Sequence, residues 1–293
     1  MKELFELEWM GGAAEHHFRK ARPGIMDLPW GTLATEDYDP EVLIAARTTW
    51  TRSSLTEYRA IAGFTEAIRA MTEAKVPVDI LGMASSFVAD EVVHVELASR
   101  MAMELGGGTD METDLDVLFM RADPKLTAFQ RANEMVLRVS CVAEAFSGKM
   151  AVQSLAGTTH PLTRAVLERI IADESLHYRL GGVYFDWAKD RLTDEERTRL
   201  AGIALAGLKP YATTLPKPPD LTANGRRKAT LEQVRAIGWV EARMFAGHVR
   251  DAVYKGIVRP LASYGIEVDA AQLTAWFGAP VPADLTLPGP PSP

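Results

Sequence analysis

The sequence has little cysteine, no excess of positive charge and no long apolar run. A single cysteine, Cys141, excludes an intrachain disulfide framework and suits a reducing cytoplasm. A net charge of −7 argues against nucleic acid, which requires a basic face, and against an anionic membrane surface. No uncharged apolar stretch is long enough for a membrane span, and none near the N-terminus resembles a signal peptide. We therefore expect a cytoplasmic protein that binds neither nucleic acid nor membrane.

Strand patterns are also scarce, and long windows contain almost no proline or glycine. Residues 41–73 contain no proline and one glycine, and their apolar residues recur at spacings of three and four. This periodicity predicts a long helix. Similar patterns predict helices over 78–105, 125–156 and 162–190. The sequence therefore predicts an all-α protein in which four long helices form two consecutive hairpins.

The rest of the chain is punctuated by proline and by acidic residues. The sequence Thr-Asp-Glu-Glu at 193–196 predicts a capping box that opens a helix over 194–208. A proline-rich linker is predicted over 209–220, a last long helix over 229–257 and an acidic loop over 109–124. The predicted organisation is an irregular arm, a four-helix core, additional C-terminal helices packed on that core and a proline-rich tail: residues 1–40, 41–190, 191–278 and 279–293.

One six-residue pattern occurs twice. Ala-Asp-Glu-Val-Val-His at 89–94 returns 83 residues later as Ala-Asp-Glu-Ser-Leu-His, each time on the second helix of a predicted hairpin. Residues three apart share one face of a helix, with Cβ atoms about 5–6 Å apart. Glu91 with His94, and Glu174 with His177, are therefore each placed to bind one metal ion through an oxygen and a nitrogen.

The first helix of each hairpin offers a further carboxylate. Glu57 precedes Glu91 by 34 residues and Glu144 precedes Glu174 by 30, which suits two long antiparallel helices joined by a short turn. Glu66 is an alternative on the first helix, but Glu57 matches the spacing of the second hairpin better. The flanking residues are apolar, and burying carboxylates without cations costs several kcal/mol per ion. This set therefore favours a two-metal site.

This pattern resembles the ferritin-like di-iron carboxylate superfamily, in which two helices each supply one Glu and two others each supply Glu-x-x-His. The resemblance covers residues 41–190 and implies a ferritin-like four-helix bundle. It implies six metal ligands: Glu57, Glu91, His94, Glu144, Glu174 and His177. Four carboxylates and two imidazoles suit two iron ions, with a Mn/Fe pair as the alternative.

The aspartate of the repeated pattern has a separate implied role. A metal-bound histidine usually donates its second N–H to a carboxylate. In oxygen-activating members of the superfamily, an Asp at this position binds the His of the opposite Glu-x-x-His pair. By resemblance, Asp173 is therefore assigned to His94 and Asp90 to His177.

The resemblance implies an O₂-dependent monooxygenase or oxidase acting on a small organic substrate through a peroxo-di-iron intermediate. Hydroxylation, N-oxygenation and related oxidations all remain open. No flavin or nicotinamide motif is present, so electrons are expected from a separate reductase or from the substrate itself. Dimers are common in this superfamily, so a homodimer is expected.

Small side chains follow one face of the third helix, and they favour either a substrate pocket or a close helix–helix contact. They are Ser140, Cys141, Ser147, Gly148 and Ala151. Ser147 lies one turn after Glu144, so it is predicted to donate a hydrogen bond to bound oxygen during catalysis.

Other classes of function fit the sequence less well. Ala98 and Met101 stand where ribonucleotide reductase small subunits carry a radical tyrosine, and Ile170 stands where arylamine N-oxygenases carry an additional His. A ferritin-type iron store is an alternative, but the additional C-terminal helices argue against it. A Mn/Fe ligand-binding oxidase of the same superfamily remains open. A tRNA-modifying hydroxylase lacks the required basic face, and a purely structural bundle is the last alternative.

Overall fold

The computed structural model describes residues 2–114, 120–213, 217 and 231–280, and these are predominantly helical. The all-α prediction is therefore confirmed for this part of the chain. Besides the helices, this part contains one short pair of strands. The helices are α1 (Gly12–Ala21), α2 (Pro40–Glu73), α3 (Val78–Glu104), α4 (Ala128–Val136), α5 (Ala145–Gly157), α6 (Pro161–His177), α7 (Arg179–Ala188), α8 (Asp194–Thr213), α9 (Leu231–Ala236), α10 (Ala242–Asp251), α11 (Arg259–Ala262) and α12 (Ala270–Phe277). None of the helices described is long and apolar enough to cross a membrane.

The first two long helices agree with their predicted bounds to within one residue. α2 begins at Pro40, whose fixed φ suits the first helical position, and the Asp39 side chain accepts a hydrogen bond from the Glu41 N–H. Along its length α2 packs against α3, and its C-terminal half packs against α4. The hairpins α2–α3 and α5–α6 meet where α3 packs on α6.

Two separate clusters of buried apolar side chains pack between these helices. One contains Phe64 from α2, Phe87 from α3 and Tyr184 from α7. The other contains Trp50 from α2 and Leu97 from α3. Along α2, α3 and α6–α7, residues of one cluster give way to residues of the other. The predicted metal ligands on these helices lie in the sequence where this change occurs. A buried polar layer therefore separates two apolar cores.

The third predicted helix is not a regular α-helix throughout. Thr127 caps α4 in a reciprocal box with Gln130, a signal that the sequence analysis missed. After α4 the chain winds as a π-helix over Leu137–Glu144 before α5 begins. A π-segment inserts extra residues per turn and is frequent at functional sites. Glu144 is the last residue of this segment.

The fourth predicted helix, 162–190, is interrupted at Tyr178, between α6 and α7. The Ser140 hydroxyl donates to the His177 carbonyl oxygen at 2.6 Å and accepts from the Gly181 N–H at 2.9 Å. In a regular helix, that carbonyl and that N–H would bond to each other. The inserted hydroxyl therefore interrupts the ladder of hydrogen bonds. A Cβ at Gly181 would collide with the Cys141 sulfur, so glycine permits this approach.

The prediction of one continuous helix over 229–257 is wrong. Residues 229–230 lie outside the described part, α9 ends at Ala236, and Gly238 turns the chain with φ of +82° before α10 begins. This left-handed conformation favours glycine and ends a helix. A second π-segment, Ala252–Val258, joins α10 to α11 and packs on α5.

Two further boundaries differ from prediction. The helix predicted over 194–208 extends through Pro210 to Thr213, and Tyr211 in this extension stacks on Phe146 with ring centroids 3.7 Å apart. Its start is as predicted, since Thr193 Oγ1 accepts a hydrogen bond from the Glu196 N–H. The prediction of a linker over 209–220 is wrong for residues 209–213, which are helical. The linker residues 214–216 and 218–220, and residues 281–293 of the predicted tail, lie outside the described part.

The N-terminal arm was predicted to be irregular, but part of it forms regular secondary structure. It contains α1, whose Arg19 forms a two-pronged ion pair with Glu96 on α3. The first strand, β1 (Lys2–Leu4), pairs antiparallel with β2 (Glu112–Asp114), which lies within the predicted acidic loop. The arm is therefore tied to the helical core at both of these points.

Candidate metal centre

Four buried side chains from α3 and α6 converge between the two apolar clusters. They are Glu91, His94, Glu174 and His177, each at most 3% exposed. Each offers one ligand atom, and these four atoms all lie within 4.8 Å of one another. The Glu-x-x-His spacing produces this because both members of each pair project from one face of their helix.

The two central carboxylates, Glu91 and Glu174, lie between the imidazoles. Glu91 Oε1 is 2.9 Å from His177 Nδ1, and its Oε2 is 3.5 Å from His94 Nδ1. Glu174 Oε1 is 3.4 Å from His94 Nδ1 and 3.8 Å from His177 Nδ1. Each of these carboxylates is therefore within reach of cations bound to either histidine.

The two outer carboxylates come from α2 and from the end of the first π-segment. Glu57 Oε2 lies 3.9 Å from His94 Nδ1, and Glu144 Oε2 lies 3.6 Å from His177 Nδ1. Each outer carboxylate therefore accompanies a different histidine. Glu66, the alternative on α2, instead pairs with Arg69 at 3.0 Å.

The inward-facing atoms of the central four residues have no hydrogen-bond partner in the described part of the chain. They are both carboxylate oxygens of Glu91, Oε2 of Glu174, and Nδ1 of His94 and of His177; the outer Nε2 of His177 also has no partner in this part of the chain. The close contacts among them lack the alignment of hydrogen bonds. Leaving one buried polar group unpaired costs about 1–3 kcal/mol, and more for a charged one. This geometry therefore fits cations at the centre of the cluster.

The outer ring nitrogens point to the two aspartates of the repeated pattern. His94 Nε2 lies 3.3 Å from Asp173 Oδ2, and His177 Nε2 lies 3.6 Å from Asp90 Oδ2. Each aspartate thus accompanies the histidine of the other helix. Because Nε2 faces the aspartate, Nδ1 of each ring is left directed into the cluster.

Arginines hold these aspartates, and the sequence analysis missed both. Arg22, just after α1, donates to Asp90 Oδ1 at 2.8 Å, whereas Arg169 lies 3.2 Å from Asp173 on the same helix. The spacing of four between Arg169 and Asp173 is a local signal. Arg22 is 68 residues from Asp90, and no local pattern links the two.

Burial and repulsion from neighbouring carboxylates raise the pKa values of the two outer carboxyls. Burial raises the pKa of Glu57 well above its usual range, and the charge of Glu91 raises it further. Burial likewise raises the pKa of Glu144, with Glu174 and Glu91 adding to the shift. Burial by itself would raise the pKa of Glu91, but its contacts with His177 and His94 lower it to about 2.

The pKa values of the two imidazoles are shifted in the direction opposite to the shift that burial alone would cause. Burial by itself would lower the pKa of His177, but Asp90, Glu144 and Glu91 raise it to about 12. The pKa of His94 is also raised well above its usual range: Asp173, Glu174 and Glu91 outweigh the effect of burial. Cations that bound the inward-facing nitrogens and oxygens would displace any protons held there.

A cavity of about 530 Å³ adjoins Glu57 and Glu174. Its apolar walls include Trp50, Phe146, Leu167, Ile170, Trp239 and Phe245. Trp239 Nε1 donates to Thr49 Oγ1 at 3.1 Å, which fixes the segment after α9 across one side of the cavity. This covering segment is absent from the sequence-based prediction, because it lies where a continuous helix was expected.

The small side chains of the third helix divide between two cavities. Ser147 and Ala151 line the cavity beside Glu57, whereas Cys141 and Gly148 line a second cavity of about 560 Å³. The Ser147 hydroxyl donates to the Glu144 carbonyl at 3.2 Å. Ser140 is buried in the helix contact described above. Four of these small residues therefore line a cavity, whereas Ser140 lies in a close helix–helix contact. Each of the two open interpretations applies to part of the stripe.

No family model matches this chain, and neither the curated proteins nor the solved structures searched give a match.

Proposed function

We propose that this chain is an O₂-dependent oxidoreductase of the ferritin-like di-iron carboxylate superfamily, with two iron ions in its polar layer. The observation that carries the proposal is the set of unpaired atoms on Glu91, His94, Glu174 and His177, all directed into one buried space. Two antiparallel hairpins carrying this repeated pattern suit a ferritin-like bundle.

The donor set favours iron or manganese. Glu57, Glu91, Glu144 and Glu174 are hard oxygen donors, and the two imidazoles complete a mixed oxygen–nitrogen environment. Their separations support two cations, because each histidine has its own outer carboxylate and shares the two central ones. When bound, two ferrous ions supply the electrons that reduce O₂ and so allow oxidation of an organic substrate.

The chain's own groups would orient the ligands and exclude water. Asp173 would hold the His94 ring through Nε2 with Nδ1 inward, and Asp90 faces the same atom of His177 at 3.6 Å, beyond hydrogen-bond distance. Phe64 and Phe87 pack around His177, with ring centroids 5.4 and 4.3 Å from the imidazole, and keep that side apolar. An apolar surround limits solvent access to the site.

The site is open on one side. The Glu57 side chain is 15% exposed, whereas those of Glu91, Glu144 and Glu174 are at most 6% exposed. Because Glu57 also lines the 530 Å³ cavity, the substrate is expected to approach from there. Ser147 lines the same cavity, but its hydroxyl hydrogen is donated to the Glu144 carbonyl oxygen, so the predicted hydrogen bond to bound oxygen would require the hydroxyl to leave that contact. A separate reductase, a homodimer and a cytoplasmic location remain further expectations.

The test is metal stoichiometry after anaerobic Fe(II) loading, followed by rapid mixing with O₂. We expect about two irons per chain and a transient visible absorption band, because six ligands surround one buried space. Glu144→Ala should lose at least one iron and the band. Elemental analysis of protein loaded with iron and manganese together distinguishes Fe/Fe from Mn/Fe.

Glu66→Ala is the matched control, since Glu66 lies on the same helix as Glu57 but pairs with Arg69. It should keep both irons and the absorption band. Fewer than one iron in the unmodified protein, or an unchanged iron content in Glu144→Ala, would show that the cluster is only structural.

A further inference from the structure

The cavity beside Glu57 has a charge pattern that restricts what it can bind. Glu57 and Glu174 belong to the proposed metal centre, and the other described residues of its lining include no acidic side chain. Arg52 and Lys217, by contrast, both line it. Near Arg52, a cationic group such as an alkylammonium ion would therefore meet repulsion, whereas an anionic group would be attracted.

Besides Arg52, the α2 wall offers the Ser53 hydroxyl as a donor, whereas its threonines offer none. Thr48, Thr49 and Thr56 each donate their hydroxyl hydrogen to the carbonyl oxygen four residues earlier, at 2.9 Å. A hydroxyl has a single hydrogen, so these groups offer the cavity only oxygen lone pairs and methyl groups. Within the part of the chain that the structure describes, the Arg52 guanidinium makes no hydrogen bond or ion pair and remains available.

The positions of these groups along α2 give the ligand an orientation. Arg52 precedes Glu57 by five residues, which corresponds to about 7.5 Å along the helix axis. The opposing walls are apolar, with Trp239 and Phe245 from the C-terminal segments and Phe146 from α5. A ligand with its anionic end at Arg52 would therefore place an apolar part towards the metal centre.

We infer that the substrate of this site is a mainly apolar carboxylic acid. Its carboxylate is held by Arg52 at the cavity mouth, and its apolar part extends towards Glu57. A guanidinium binds a carboxylate through two parallel hydrogen bonds, which an alcohol or amine of equal length cannot form. The role of this acid as a substrate rests on the proposed function, but its binding can be measured without turnover.

The experiment compares decanoate with decan-1-ol on the iron-loaded, full-length protein under anaerobic conditions. Binding is followed by calorimetry and by tryptophan fluorescence, since Trp50 and Trp239 line the cavity. Decanoate should bind at least about tenfold more tightly than the alcohol, because a charge-assisted pair replaces a neutral contact. Arg52→Gln should remove this preference, and Arg52→Lys should retain part of it.

Arg59→Gln is the matched control, because Arg59 is also exposed on α2 but does not line the cavity. It should keep the full preference for decanoate. Equal binding of the two probes, no binding of either, or an unchanged preference in Arg52→Gln would overturn the inference.

Iron content and the reaction with O₂ are measured on the same samples. Two irons and an O₂ reaction without a decanoate preference would overturn this inference alone. A decanoate preference lost in Arg52→Gln, in a protein that binds no iron, would support the carboxylate site and overturn the proposed function.

Discussion

At the scale of single residues, the site depends on which nitrogen of each imidazole faces inward. His94 and His177 are fully buried, so their orientation is determined by the groups that meet each ring edge. Asp173 lies at Nε2 of His94, and Asp90 lies at the same atom of His177. Each aspartate in turn contacts an arginine: Asp173 contacts Arg169, and Asp90 contacts Arg22. In the proposed metal centre, this arrangement would present both Nδ1 atoms to a cation.

The residue-scale prediction concerns Asp173→Asn. We expect the Fe(II) affinity to fall by about 10–100-fold, because the neutral amide holds the His94 ring less firmly and lowers its basicity. The measurement is competition with a chelator of known affinity under anaerobic conditions. Asp186→Asn, an exposed change on α7, should leave the affinity unchanged. An unaltered affinity in Asp173→Asn would mean that the aspartate does not support the site.

At the scale of elements, interruptions of regular helix determine the shape of the site. The π-segment ending at Glu144 places that carboxylate beside His177. Ser140 interrupts the α6–α7 ladder directly after His177. Gly238 ends α9 and lets the following segment cover the cavity beside Glu57. In each case a departure from α-helical geometry lies close to a proposed ligand or to the cavity.

The element-scale prediction concerns Gly238→Ala. The residue has φ of +82°, and an added Cβ would lie 2.8 Å from Thr163 Cγ2, on a side chain that is fully buried. Backbone strain and overpacking should together lower the free energy of unfolding by about 1–3 kcal/mol. Urea denaturation measures this. The variant should also weaken any ligand binding in the cavity.

Gly202→Ala is the control for this change. Gly202 is exposed within α8, and an added Cβ would meet nothing within 4 Å. Alanine at a helical position should stabilise the protein by up to about 1 kcal/mol. If both variants shift stability in the same direction and by the same amount, Gly238 has no special role.

At the scale of the whole molecule, a buried polar network fastens the C-terminal helices to the core. The Glu196 carboxylate on α8 accepts from Asn133 on α4 at 2.9 Å and from Arg199 on its own helix. Asn133 also accepts from the Tyr184 hydroxyl on α7 at 2.8 Å. The network joins three helices beside the large apolar cluster, separately from the proposed metal centre.

This network predicts a specific loss of stability in acid. Burial by itself would raise the pKa of Glu196, but Arg199 and Asn133 lower it below its usual range in the folded state. A lowered folded-state pKa means that the stabilisation is fully present above the unfolded pKa of about 4.3. It is lost as the pH falls below that value and through the folded-state pKa.

Glu196→Gln should therefore cost about 2–3 kcal/mol at pH 7 and progressively less as the pH falls below about 4.3. Urea unfolding at a series of pH values gives the difference from the unmodified protein. Glu195→Gln, at the exposed neighbouring position, should show no such difference. A difference that does not change with pH would contradict the assignment to the Glu196 charge.

The sequence by itself determined the features that depend on local periodicity. Apolar spacing gave α2 and α3 to within one residue, because helices of that length are defined by contacts three and four residues apart. The repeated pattern placed Glu91 with His94, and Glu174 with His177, on single helix faces for the same reason. The matched spacings of Glu57 and Glu144 indicated which carboxylates would lie beside them.

Only the tertiary structure decided the features that join residues distant in the chain. The placement of Glu91 and Glu174 between both imidazoles depends on how α3 and α6 pack. The contact of Arg22 with Asp90 and the cover of Trp239 over the cavity also join separate elements. The break at Gly238 arises from its left-handed backbone and its tight packing on Thr163. Such contacts leave no periodic signal, because each depends on the relative positions of two helices rather than on the residues of one.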